Sequence, residues 1–153
     1  MAGPTVGILL KEELNEHAKE EILAFIQSVS NKVQGNDFWV NSSPLGYDLG
    51  PDYPEEIDEY SNIEKLIGWA PKEIIGLYAM CNGECDHIAL GEVALGISRL
   101  VGGKVAFNHL LAGYTTDNAI LNVPGVVTYN GESILNPEVL ELWLRHKDFQ
   151  MVK

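Results

Sequence analysis

Two thiols and an imidazole fall together at Cys81-Asn82-Gly83-Glu84-Cys85-Asp86-His87, the densest set of candidate ligands in the chain. Thiolate and imidazole are donors that zinc prefers, and three of them would leave a fourth position for another side chain or for water. The C-x3-C-x-H spacing is not that of a standard finger. Cys81 ends an apolar run and Cys85 precedes another, which is where cysteine commonly serves as a small buried packing residue. The expectation is that both thiols pack and that the chain holds no metal or other cofactor. A small metal- or ligand-binding, enzyme-like domain built on Cys81, Cys85 and His87 is the rival reading.

Glu84 and His87 also form an E-x-x-H pair, but its di-iron use requires a second copy and two further carboxylates on facing helices, and no second copy exists. His17, His109 and His146 stand isolated along the chain. No G-x-G-x-x-G, Gly-Lys-Ser/Thr or G-x-S-x-G pattern occurs, so the usual phosphate cradles and the nucleophile elbow are missing. No catalytic residue is nominated, and the chain reads as a binding protein rather than an enzyme.

A different pattern runs from Lys32 to Lys65. Between them lies no basic residue, while Asp37, Asp48, Asp52, Glu55, Glu56, Asp58, Glu59 and Glu64 are acidic and Tyr47, Tyr53 and Tyr60 are interleaved. Tyrosine is enriched at interface hot spots, so an acidic, aromatic segment suits a basic protein surface. The expected partner-binding set is Tyr47, Asp48, Asp52, Tyr53, Glu55, Glu56, Asp58, Glu59 and Tyr60. The alternative is a solvated face whose tyrosines pack onto the core.

The elements that must position these residues follow from hydrophobic spacing. Thr5 to Leu10 reads as a buried strand, and Glu12 to Val29 as an amphipathic helix on Leu14, Ala18, Ile22, Phe25 and Val29. Asp37 to Val40 is a short strand, Ser42 to Pro54 an exposed loop, and a brief acidic helix follows to Gly68. Ile74 to Cys81 is the best central strand, with Gly76 implying close packing. Asp86 to Val101 is a helix stopped by Gly102-Gly103, and Lys104 to Phe107 a strand. Ala119 to Val123 and Val126 to Tyr129 are expected to pair about Pro124-Gly125, with His109 to Asn118 as the connection. Asn136, Pro137 and Glu138 open a last helix carrying Leu140, Trp143 and Leu144. One layered domain of the α/β or α+β class over residues 1–153 results, with about four helices and strand order undetermined.

Ten Lys and Arg against 22 Asp and Glu leave a formal charge of -12 over 153 residues. That field disfavours nucleic acid and anionic membranes, attracts basic proteins, and also keeps a small unbound domain soluble and monomeric. The apolar run near the amino terminus has no basic segment before it, and two closely spaced cysteines do not make a disulfide framework, so the expected location is the cytoplasm.

In Trp69 through Asn82, Gly91, Gly103 to Phe107 and above all the ending Trp143-Leu144-Arg145-His146-Lys147-Asp148-Phe149-Gln150-Met151-Val152-Lys153, the chain resembles a family of small uncharacterised bacterial proteins. Met-Ala-Gly-Pro-Thr-Val at the start, and Ala79-Met80-Cys81-Asn82 with Asp86-His87, are similar as well. Members of that family look like the small acidic immunity proteins encoded beside polymorphic toxins. The resemblance therefore implies stoichiometric binding and neutralisation of a cognate toxin domain, or, as the alternative, service as an adaptor for another basic protein.

Overall fold

The computed structural model describes residues 3–50 and 55–153. Among these, β1 (Thr5–Leu10), β2 (Lys32–Gln34), β3 (Asp37–Val40), β4 (Ser43–Leu49), β5 (Glu73–Ala79), β6 (Lys104–Ala106), β7 (Val126–Tyr129) and β8 (Glu132–Leu135) make one open sheet in the order β2-β3-β4-β5-β1-β6-β8-β7. Every ladder is antiparallel, so of the two layouts expected the α+β one describes the molecule. Crossover helices link strands that are not neighbours: α1 (Glu16–Val29) carries the chain from β1 to the far edge, and α4 (Glu84–Val101) takes it from β5 over β1 to β6.

The long helices begin where side chains satisfy free amides. Asn15 Oδ1 accepts from the Ala18 N–H at 2.8 Å, so α1 starts at Glu16 and not at Glu12. Asp86 Oδ2 accepts from the Gly83 N–H at 2.8 Å at the start of α4, and Gly102, at φ 69°, closes its other end as expected. Asn136 Oδ1 accepts from Val139 N–H at 3.1 Å ahead of Pro137 in α6 (Pro137–Leu144). The described residues contain six α-helical segments rather than about four. The brief acidic helix expected before Gly68 is two separate four-residue turns, α2 (Glu55–Asp58) and α3 (Glu64–Ile67), and α5 (Asn118–Leu121) is a further four-residue turn, too short to show a periodicity.

Alternation along each strand divides the side chains between two faces. Toward α1, α4 and α6 point Val6, Ile8, Phe38, Leu45, Ile75, Leu77 and Val105, which join Ile22, Ile26, Leu90, Ile97, Leu140 and Trp143 in the main core. Gly96 lets the Phe25 ring of α1 settle on α4, and Gly91 does the same for Leu144. On the opposite face Leu9, Ile74, Ala106 and Ile134 lie under Ile63, with Ile57, Tyr60, Ile67 and Trp69 around it. The α2–α3 segment forms this second cover. Farther toward β4, Gly7, Gly76 and Tyr78 remain part-exposed and Asp48 exposed.

Two expected elements are corrected. Ser42 to Pro54 is not an exposed loop: Ser43–Leu49 pairs with both β3 and β5, and Leu45, Gly46 and Tyr47 are buried. Pro44 and Gly46 read as breakers, yet the Gly46 position has a packing cause, since the Tyr78 ring lies where a Cβ would stand. Pro51, Asp52, Tyr53 and Pro54 lie outside the described residues. The second correction concerns the hairpin. Asn118–Leu121 is helical, capped by Asp117 Oδ1 on the Ala119 N–H at 2.9 Å. β7 instead pairs with β8 about Asn130-Gly131, whose φ values of 48° and 80° suit the tight turn that Asn-Gly favours.

Candidate functional site

Because residues 47 and 48 lie in a strand, their side chains leave opposite faces of the sheet. Tyr47 goes inward, 8% exposed and tilted against Phe38 with ring centroids 6.1 Å apart. It is a core residue, and the expectation that it contacts a partner is corrected accordingly. Asp48 goes to the other face, where it lines a groove of about 500 Å³ together with Glu56 from α2 and Glu59 and Tyr60 just beyond it. The tertiary structure thus unites Asp48, Glu56, Glu59 and Tyr60 from the expected set. Glu55 and Asp58 are exposed and do not line the groove; Asp52 and Tyr53 lie outside the described residues.

The remaining lining comes from residues that the acidic stretch does not contain. Gly7 and Gly76, paired across β1 and β5, make part of it. Tyr78 and Asn108 contribute as well, and the Asn108 Nδ2–H donates to Thr5 Oγ1 at 3.2 Å. Burial, with Asp37 and Asp48 nearby, raises the Tyr78 phenol above its ordinary pKa. No lysine or arginine is among the described lining residues. The sequence signal for the added positions is faint, a glycine inside each of two apolar strands, and only the β1/β5 register sets them opposite one another.

The acidic wall is anchored from behind. The Tyr60 hydroxyl donates to Glu132 Oε1 at 2.6 Å, and its ring stacks on Tyr129 at 6.0 Å. The Tyr129 hydroxyl in turn donates to the Glu59 carbonyl at 2.9 Å. Burial chiefly, then the bond to Glu132, raises the Tyr60 pKa. Burial also pushes the Glu132 carboxyl above the usual carboxylate range, with Glu59 adding to the shift and the Tyr60 hydroxyl opposing it. Tyr60 is therefore half committed to holding α2 over the β7/β8 hairpin, and half available at the groove.

The cysteine and histidine cluster is arranged differently from the expectation. Cys81 and Cys85 are both exposed free thiols, so neither is a packing residue. Asp86 and Ala89 instead turn inward, as the helical period directs once α4 begins at Glu84. His87 Nδ1 accepts the Met151 N–H at 2.8 Å, and its Nε2 lies 2.9 Å from Asn82 Oδ1, to which it donates. Burial lowers its pKa, as an imidazole that must keep Nδ1 unprotonated requires. Among the described residues no group of three or more His, Cys, Asp and Glu side chains is placed to hold a metal ion.

His87 and His146 flank a second cleft, also of about 500 Å³, at the carboxy-terminal end. There His146 Nδ1 accepts the Asp148 N–H at 3.0 Å while Nε2 faces Asp117 Oδ2 at 2.8 Å, a hydrogen bond that lowers the Asp117 pKa. Thr115 Oγ1 donates to Asp148 Oδ2 at 2.8 Å, and the Thr5 N–H donates to the Val152 carbonyl at 2.8 Å. The ending that carries much of the family resemblance is thus a clamp joining α6, the start of α4 and the start of β1.

Among the described residues no helix is long and apolar enough to cross a membrane. No curated protein and no solved structure matches the chain. A family model does match, over residues 2–153. Its span takes in both the groove and the carboxy-terminal clamp, and the chain belongs to that family, the family of unknown function DUF6368.

Proposed function

We propose that this chain is an immunity-type inhibitor that binds a basic toxin domain stoichiometrically in the bacterial cytoplasm, without turnover, and is monomeric when unbound. The observation that carries the reading is the gathering of Asp48 from β4 with Glu56 and Glu59 from the following segment onto one groove without an opposing cation among its described lining. The net charge of -12 extends the same field over the whole molecule. Complementary charge of this kind accelerates encounter and excludes acidic partners, while aromatic contact governs how long a complex lasts. The likeness of the family to immunity proteins supplies the class of partner.

The test is surface plasmon resonance against the toxin domain encoded by the neighbouring gene, at two ionic strengths. Reversing Asp48, Glu56 and Glu59 to lysine should slow association at low salt by tenfold or more and flatten its salt dependence, as loss of electrostatic steering does. Rates equal to those of the parent would place the interface elsewhere and leave the acidic segment a solvated face.

A further inference from the structure

Gly7 and Gly76 face each other across the β1/β5 ladder and line the acidic groove. Neither glycine is required by its backbone, since the positive-φ glycines are Gly35, Gly50, Gly68, Gly102, Gly125 and Gly131. Nor is either required by crowding. A Cβ on Gly7 would stand 3.5 Å from Ala106 Cβ and 3.6 Å from Ile74 Cγ2, and one on Gly76 would stand 3.7 Å from Asp48 Cβ, all ordinary contacts. The close packing expected at Gly76 is therefore absent. Opposed glycines inside a sheet give up a cross-strand side-chain pair and lose more backbone entropy on folding than other residues. What such positions permit is the close approach of a ligand or another chain.

The surroundings determine what approaches. The carboxylates of Asp48, Glu56 and Glu59 and the phenol rings of Tyr60 and Tyr78 line the same groove. On the same face, toward the β2 edge, Lys32 Nζ already sits 4.4 Å from the centroid of the Trp39 ring. We propose that the groove over Gly7 and Gly76 seats an arginine side chain of the basic protein partner, a step that rests on the immunity reading for the partner's identity. A guanidinium is flat, engages carboxylates through paired N–H groups and stacks on aromatic rings, so it suits a floor of bare strand with acidic and phenolic walls. A lysine ammonium is a more strongly hydrated point charge and draws no benefit from a flat floor.

The experiment is a titration of the full chain with N-acetyl-arginine amide, and separately with N-acetyl-lysine amide, followed in amide proton–nitrogen correlation spectra at low ionic strength. The amides of Gly7, Gly76 and Tyr78 should shift saturably with the arginine derivative and bind the lysine derivative at least fivefold more weakly. In Gly7→Ala/Gly76→Ala the shifts should be lost while the thermal midpoint equals or exceeds that of the parent; if the double variant fails to fold, Gly76→Ala alone carries the comparison. Shifts confined to other acidic surfaces, or undiminished in the alanine variants, overturn the inference. Because this probe needs no toxin, the two readings fail separately. Loss of toxin binding with an intact arginine site removes the immunity role, whereas charge-dependent toxin binding indifferent to the alanine changes removes the arginine seat.

Discussion

Replacing Trp143 with alanine removes the side chain on which the carboxy-terminal clamp closes. The indole is 0% exposed, meets Phe107 and Phe149 edge-on at 6.2 Å and 5.9 Å, and stacks on His146 at 5.3 Å. Its Nε1–H donates to the Gln150 carbonyl at 2.9 Å, which bends the last residues back so that Met151 and Val152 bury against the core. Truncating a buried aromatic of this kind costs about 3–5 kcal/mol, and the lost hydrogen bond adds up to about 1 kcal/mol. A loss of roughly 4–5 kcal/mol, near the middle of that range, is about a quarter or more of a typical domain's stability. At about 2–4 °C per kcal/mol for a domain of this size, the thermal midpoint should fall by roughly 10–20 °C. Circular dichroism melts with urea titration at one temperature measure it, and Trp143→Phe, which keeps much of the ring contact without the N–H, should lie between. A midpoint for Trp143→Ala within about 3 °C of the parent would refute the clamp as a source of stability and expose α6 as a candidate contact surface.

The exposed positions of Cys81 and Cys85 lead to an expectation of small effects. Serine at either site should change stability by no more than about 0.5 kcal/mol, and both thiols should react with Ellman's reagent in the native protein; a thiol that reacts only in denaturant contradicts their placement. Glu132→Gln tests the half-buried acidic contact behind the groove. A folded-state carboxyl pKa raised by burial means that Glu132 stabilises the fold when protonated, below its unfolded value, and that this contribution is lost as pH rises through the folded value. Glutamine, which can still accept from the Tyr60 hydroxyl, should raise the midpoint at pH 7 and flatten the decline in stability between mildly acidic and neutral pH. A lowered midpoint at pH 7 would show that the charged Tyr60–Glu132 hydrogen bond outweighs desolvation.

Much of the secondary structure is legible in the sequence because its determinants are local. Asn136 caps its helix through a contact three residues away, Gly102 stops α4, and the apolar run from Val6 to Leu10 marks a strand. The acidic, tyrosine-bearing segment is equally plain in composition, as is the apolar stripe that buries Trp143. The strand at Ser43–Leu49 was hidden because pairing on both sides outweighs the breaking tendency of Pro44 and Gly46, and such pairing depends on β3 and β5. That same pairing decides the fate of neighbours: it buries Tyr47 and sends Asp48 to the groove. Gly7 and Gly76 become a single floor only through a register between strands far apart in the chain, and Cys85 becomes exposed only through the phase of α4. Net charge and the apolar stripes of the long helices are properties of the residues themselves and of their near neighbours, so the sequence alone determines them. The groove is a property of which faces meet after the chain has closed on itself, and antiparallel register, helix phase and the partial cover by α2 and α3 decided it.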